Sequence, residues 1–133
     1  MGSRKVPPCF VKSDSSPTYR TLLSRLKKEF PHVEDDVNKI LPEIAQDFRH
    51  ARHADSIPRF NDTLFKYRVP SSDQRRGTRG GFRLCAYYDK QNNTLYPVLI
   101  WPKSEDEDLD YEIKAKAVKE LLQIIELPPP LNF

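Results

Sequence analysis

Glycine is nearly absent from this sequence: four residues in 133, and three of the four fall at Gly77, Gly80 and Gly81. A dinucleotide fingerprint or a P-loop needs glycines at set offsets between a strand and a helix, and neither pattern occurs. Cysteine is as scarce. Cys9 and Cys85 both lie in apolar, strand-like runs, which reads as two buried thiols, not a disulfide framework or a CxxC redox pair. No apolar run approaches the ~20 residues of a spanning helix. The basic N-terminus, Met1 to Pro8, has no apolar h-region behind it, so no secretion signal is read and a cytoplasmic location is expected. His50 and His53 stand three apart without a Cys or acidic partner at ligand spacing, so neither metal nor cofactor is expected. No Ser/His/Asp set is present.

What the sequence does have is polarised charge. The formal net charge is only +3, yet its distribution is uneven. From Lys66 to Arg83 the cations are Lys66, Arg68, Arg75, Arg76, Arg79 and Arg83, opposed only by Asp73. From Glu105 to Glu112 the chain turns acidic, with Glu105, Asp106, Glu107, Asp108, Asp110 and Glu112. A basic block and an acidic block nearly cancel in the sum, and the average hides them.

Length and composition allow one modest core. Residues 1–9 read as a flexible tail, 10–127 as one domain, and 128–133 as a proline-rich tail. Phe10-Val11-Lys12 reads as a short strand. The spacing of Tyr19, Leu22, Leu23, Leu26 and Phe30 predicts a helix from Thr18 to Phe30, capped from Ser13–Pro17 and stopped by Pro31. A second helix is expected from Val33 to about Arg52, with Val37, Ile40, Leu41, Ile44, Ala45 and Phe48 on one face and Pro42 kinking or dividing it. His32, at the junction, reads as structural, and Asp35-Asp36 as helix N-terminal charge. Ala54 to Asp62 reads as a polar connector. Then the period becomes two: Leu64, Lys66 and Arg68 on one side, Phe65, Tyr67 and Val69 on the other. Strands follow at Gly81–Tyr88 and Thr94–Trp101, joined by a turn at Gln91-Asn92-Asn93. The last of these is apolar throughout, as in a strand covered on both faces, and Pro97 implies a missing ladder bond. Asp108 or Asp110 caps a final helix through Ile113, Ala117, Leu121, Leu122 and Ile125. The expected class is α+β, an antiparallel-rich sheet in the order β-α-α-β-β-β-α.

The segment from Arg75 to Arg83 concentrates the chemistry. Glycines allow positive φ and close backbone approach, so interleaved arginines can wrap an anion with amides and planar guanidinium forks. The plain alternative is a solvated basic loop. Lys66, Arg68 and Arg83 share one surface if their strands pair, and a one-residue slip would turn Lys66 and Arg68 away. Like charges so placed repel unless an anion is their intended neighbour. Phosphodiester cleavage uses such an array: cations stabilise charge on the non-bridging oxygens, and a lysine of depressed pKa could accept the 2′-hydroxyl proton. Lys103 adds a cation after the last strand. Tyr87, Tyr96 and Trp101 read as core, and Tyr111 as a candidate for stacking on a base.

The runs Gly80-Gly81-Phe82-Arg83-Leu84-Cys85-Ala86-Tyr87-Tyr88 and Trp101-Pro102-Lys103-Ser104-Glu105-Asp106-Glu107-Asp108 resemble RelE/HigB-type toxins of bacterial toxin–antitoxin modules. Phe10-Val11-Lys12-Ser13 and the junction Phe30-Pro31-His32-Val33-Glu34-Asp35-Asp36 fit the same pattern. The resemblance implies a microbial-ribonuclease-like sheet. It implies a metal-independent endoribonuclease that cleaves mRNA in the ribosomal A site and so inhibits translation, restrained by a cognate antitoxin in a hetero-oligomer, with no membrane role. By position, Lys66 and Arg68 match a base or charge stabiliser, Arg83 a ligand of the scissile phosphate, Lys103 the basic turn, and Tyr111 the stacking tyrosine. Arg75, Arg76 and Arg79 read as RNA-binding charges. Ser104 stands where many of these toxins carry a second basic residue, which leaves the general acid unassigned. Two alternatives remain: a ParE-like poison of a topoisomerase, and an inactive binding module on the same scaffold.

Overall fold

The computed structural model describes residues 8–74, 80–103 and 110–125. Its elements are β1 (Phe10–Val11), α1 (Pro17–Glu29), α2 (Val33–Gln46), β2 (Asp55–Ser56), β3 (Leu64–Val69), β4 (Phe82–Asp89), β5 (Thr94–Pro102) and α3 (Tyr111–Ile124). They form a five-stranded sheet ordered β1-β5-β4-β3-β2. β1 runs parallel to β5, and the other neighbours are antiparallel.

The two-residue alternation divides the sheet into faces. Phe65, Tyr67 and Val69 of β3 and Phe82, Leu84 and Ala86 of β4 pack with Tyr19 and Leu23 of α1 and with Val33, Val37, Ile40 and Ile44 of α2. On the other face Leu64, Cys85, Tyr87, Tyr96, Val98, Leu99 and Trp101 pack with Ala115, Ala117, Val118, Leu121 and Leu122 of α3. Each fully buried large apolar side chain contributes about 1.5–3 kcal/mol. β5 lies under helices on both faces, and all nine of its residues are buried. The ladder between β4 and β5 shifts at Cys85/Ala86. Pro97 sits opposite Ala86 at this bulge, where a residue without an N–H is tolerated.

Local chemistry sets the element ends. Ser16 caps α1, its hydroxyl accepting from the Tyr19 N–H at 3.2 Å. The Asp110 carboxylate caps α3 through the Ile113 N–H at 3.1 Å. The buried Asp89 carboxylate holds the β4–β5 turn, accepting from Gln91 N at 3.1 Å and Asn92 Nδ2 at 2.7 Å.

Three expectations need correction. α2 ends at Gln46, not near Arg52, and runs through Pro42 undivided. Its terminal Ala45 carbonyl accepts from the Cys9 N–H at 2.9 Å. Phe48 continues the apolar period, but it stacks on Tyr88 at 4.1 Å and meets Phe65 edge-on at 5.3 Å. The connector from Ala54 to Asp62 contains β2, a strand too short to show a period. Ile113 is 45% exposed, so it is not part of the helix's core stripe. Of the expected tails 1–9 and 128–133, residues 1–7 and the whole of 128–133 lie outside the described residues.

Gly81 is where the chain turns into β4. Its φ is +68°, and a Cβ there would stand 2.0 Å from the Val69 carbonyl oxygen. Gly81→Ala should therefore lower stability by about 1–3 kcal/mol. Urea denaturation checks this, and a variant as stable as the parent would refute it.

Candidate functional site

The register settles which cations meet. Arg68 stands directly opposite Arg83, and Arg83 directly opposite Trp101. Directly opposed residues point to the same face, with Cα atoms about 4.5–5.5 Å apart. A second row on that face runs Asp55, Lys66, Cys85, Leu99 across β2 to β5. Arg68 is exposed, Lys66 and Arg83 are half-buried, and Cys85, Leu99 and Trp101 form an apolar floor beside them. Lys103, one residue beyond β5, is exposed at the same end, and its N–H donates to the Gly81 carbonyl at 2.9 Å. Lys66, Arg68, Arg83 and Lys103 thus share one end of the sheet, on elements fixed by backbone ladders. The Arg83 guanidinium donates through Nη1 to the carbonyls of Phe82 at 3.1 Å and Gly80 at 3.3 Å. Backbone acceptors therefore orient it at the hairpin exit.

Tyr111 is placed differently. It opens α3 and packs on Phe60 at 5.2 Å, with the Arg59 guanidinium 3.8 Å over its ring. One face of the ring thus already carries a cation. Arg75, Arg76, Arg79 and Ser104 lie outside the described residues, as does most of the acidic run. Of that run, Asp110 serves as a cap and Glu112 is exposed.

Two features of the site escaped the sequence reading. Asp55 is one: it brings a carboxylate in register with Lys66, onto a face that had seemed purely cationic. Only the β2–β3 pairing reveals it, because Asp55 is eleven positions from its partner in a stretch without periodicity. The other is the set of ties holding the chain on either side of residues 75–79. The buried Asp36 carboxylate accepts from the Ser72 N–H at 3.0 Å and the Ser72 hydroxyl at 3.2 Å. Asp73 accepts from the His32 N–H at 3.0 Å and lies 2.8 Å from His32 Nδ1. The Gln74 side-chain carbonyl accepts from the Gly81 N–H at 2.7 Å. Phe30, capping α1, meets Phe82 edge-on at 5.2 Å. Asp36 is thus more than helix-terminal charge, and His32 has the structural role expected of it.

No family model matches the chain, and none of the curated proteins matches it in sequence. Among solved structures it is similar to a double arginine-to-alanine mutant of the E. coli toxin RelE in the free state. That match has a TM-score of 0.52 at 18% identity, covering 84% of this chain and 96% of that one. The fold is RelE-like α+β, as the sequence motifs implied. Among the described residues no helix is long and apolar enough to cross a membrane.

The His32–Asp73 tie gives a pH signature. The hydrogen bond and charge of Asp73 push the His32 pKa up, and the hydrogen bond from His32 holds the Asp73 pKa down. A raised histidine stabilises fully below its unfolded value of about 6.5 and loses that contribution as pH rises through the raised value. A lowered aspartate stabilises above its unfolded value of about 3.9 and loses that as pH falls through the lowered value. The pair therefore contributes most between those two unfolded values. His32→Ala should lower the urea midpoint more in that window than in alkaline solution. An equal loss in both conditions would argue against the coupling.

Proposed function

We propose that this chain is the toxin of a toxin–antitoxin pair, a metal-independent endoribonuclease acting on mRNA at the ribosome. The reading rests on the in-register pair Arg68–Arg83. The two arginines stand directly opposite each other in the ladder, with Lys66 on the same face and Lys103 at the same end. Cations gathered in this way on a rigid ladder offer an anion more than one partner at once. Planar forks suit the two non-bridging oxygens of a phosphodiester.

In this mechanism the scissile phosphate lies on Arg83 and Arg68, which stabilise the dianionic charge that develops as the 2′-oxygen attacks phosphorus. The exposed Asp55 carboxylate, level with Lys66, accepts the 2′-hydroxyl proton, and Lys66 supplies further positive charge. The P–O5′ bond breaks to leave a 2′,3′-cyclic phosphate, and the departing 5′-oxygen takes a proton from water to become a 5′-hydroxyl. Tyr111, its ring already flanked by Arg59, provides a stacking surface for a base, and Arg75, Arg76 and Arg79 steer the RNA. An antitoxin with an acidic helix or extended segment would restrain the toxin by covering the cation face.

Primer extension on mRNA-programmed ribosomes tests both assignments. Arg83→Ala should slow cleavage by about 10²–10³-fold, as expected for loss of one donor to a developing oxyanion. Asp55→Asn, isosteric but unable to take a proton, should slow it by about 10²–10⁴-fold. Unchanged cleavage with Arg83→Ala would sink the ribonuclease reading, and DNA-damage signalling with intact mRNA would point to a topoisomerase. If only Asp55→Asn is silent, the base lies elsewhere.

A further inference from the structure

The cation face just described is not the only basic surface. α1 lies against the opposite face of the sheet, and its outer side carries Arg20, Arg25 and Lys28 around a shallow groove of about 390 Å³ that is also lined by Pro17, Thr21 and Ser24. All three cations are exposed, and among the described residues none of them is ion-paired. Lys27, on the same helix, is paired with Glu34 at 3.1 Å. The helix therefore neutralises the cation beside the groove and leaves those lining it open.

We infer that this groove binds the phosphate backbone of structured RNA, as a docking surface separate from the site of cleavage. Spacing supports it. Arg20, Ser24 and Lys28 follow one another at four-residue intervals, with Thr21 and Arg25 alongside, so the stripe is about 12 Å long. That length spans a few successive phosphates along one strand of a duplex. Chemistry supports it too: Arg, Lys, Ser and Thr are the side chains that contact phosphate and sugar without reading bases. The groove has no carboxylate, and the helix's large apolar side chains Tyr19, Leu22, Leu23 and Leu26 turn inward to the core. A protein partner would need an apolar or aromatic anchor, and the groove offers only the proline ring. Because the two basic surfaces lie on opposite sides of the sheet, the RNA on α1 is a different segment from the strand being cut.

The inference takes RNA as the nucleic acid from the reading above, but its test reads binding instead of cleavage. The probe is a fluorescein-labelled RNA hairpin, titrated with the full chain over a range of salt concentrations and followed by anisotropy. Arg20→Gln, Arg25→Gln and Lys28→Gln together keep helix propensity. They should weaken binding at least tenfold and make the log K against log salt slope shallower by about 2–3, at ~0.9 per lost phosphate contact. Lys27→Gln, which removes a cation already paired, should change the slope far less. Circular dichroism confirms that the variants fold. An unchanged slope in the triple variant overturns the inference, as does a result in which poly-glutamate, and not RNA, loses affinity. If Arg83→Ala abolishes cleavage while the triple variant binds RNA normally, only the docking surface is wrong. If the triple variant loses RNA binding while Arg83→Ala still cleaves, only the catalytic reading is wrong.

Discussion

Arg68 stands opposite Arg83 in the β3–β4 ladder, two like charges whose register is held in place by everything around them. Like charges directly opposite each other on a ladder destabilise it, by roughly 1 kcal/mol or less where water screens them. Arg68 is exposed, so water screens the repulsion. Arg83 relieves part of it by turning toward the carbonyls of Gly80 and Phe82. The register cannot slip to relieve the rest. A shift by one residue would expose Phe65, Tyr67 and Val69, now buried under α1 and α2, and would bury Lys66 and Arg68. The core on one face thus fixes the charges on the other.

Gly81 and the ties around it supply the second constraint. β4 can pair with β3 at this register only if the chain enters it close against the Val69 carbonyl, and the positive φ of Gly81 makes room. The approach is then fixed from outside the sheet, by Asp36 on Ser72, Asp73 on His32, Gln74 on Gly81 and Phe30 on Phe82. Three of these partners come from α1, α2 and the junction between them. The helical hairpin therefore has two roles, covering the sheet and anchoring the strand end that presents Arg83.

Much of this was legible in the residues. The alternation of Leu64-Phe65-Lys66-Tyr67-Arg68-Val69 put Lys66 and Arg68 on one face and Phe65, Tyr67 and Val69 on the other, and side-chain chemistry placed the caps within Ser13–Pro17 and at Asp108 or Asp110, where Ser16 and Asp110 serve. Tyr87, Tyr96 and Trp101 proved to be core, and Cys9 and Cys85 buried thiols. What stayed hidden depended on long-range pairing. Asp55 joins the cation face only through a two-residue strand, which has no period to read. The end of α2 is set by Cys9 and by the contacts of Phe48, neither of which lies in the helix. Asp36 looked like helix-terminal charge because its partner, Ser72, is thirty-six residues away. Local patterns name faces and ends, whereas a carboxylate's partner depends on the fold.

These constraints explain why the site lies at one end of the sheet and not at its centre. The middle of the α3 face is filled by Cys85, Leu99, Val98 and the small Ala115 and Ala117, which let the helix sit close. A charge there would lose its hydration without a partner. Beside that apolar floor Arg68 is exposed and Lys66 and Arg83 are half-buried, while their backbones remain in the ladder. On the proposed reading the Arg83 guanidinium, oriented by the Gly80 and Phe82 carbonyls, would lose little side-chain entropy on meeting an anion. The same logic separates Arg68 and Arg83 from Arg20, Arg25 and Lys28. The first two sit on a ladder, as a fixed phosphate geometry would need, whereas the α1 cations are exposed on a helix surface and, among the described residues, form no ion pair.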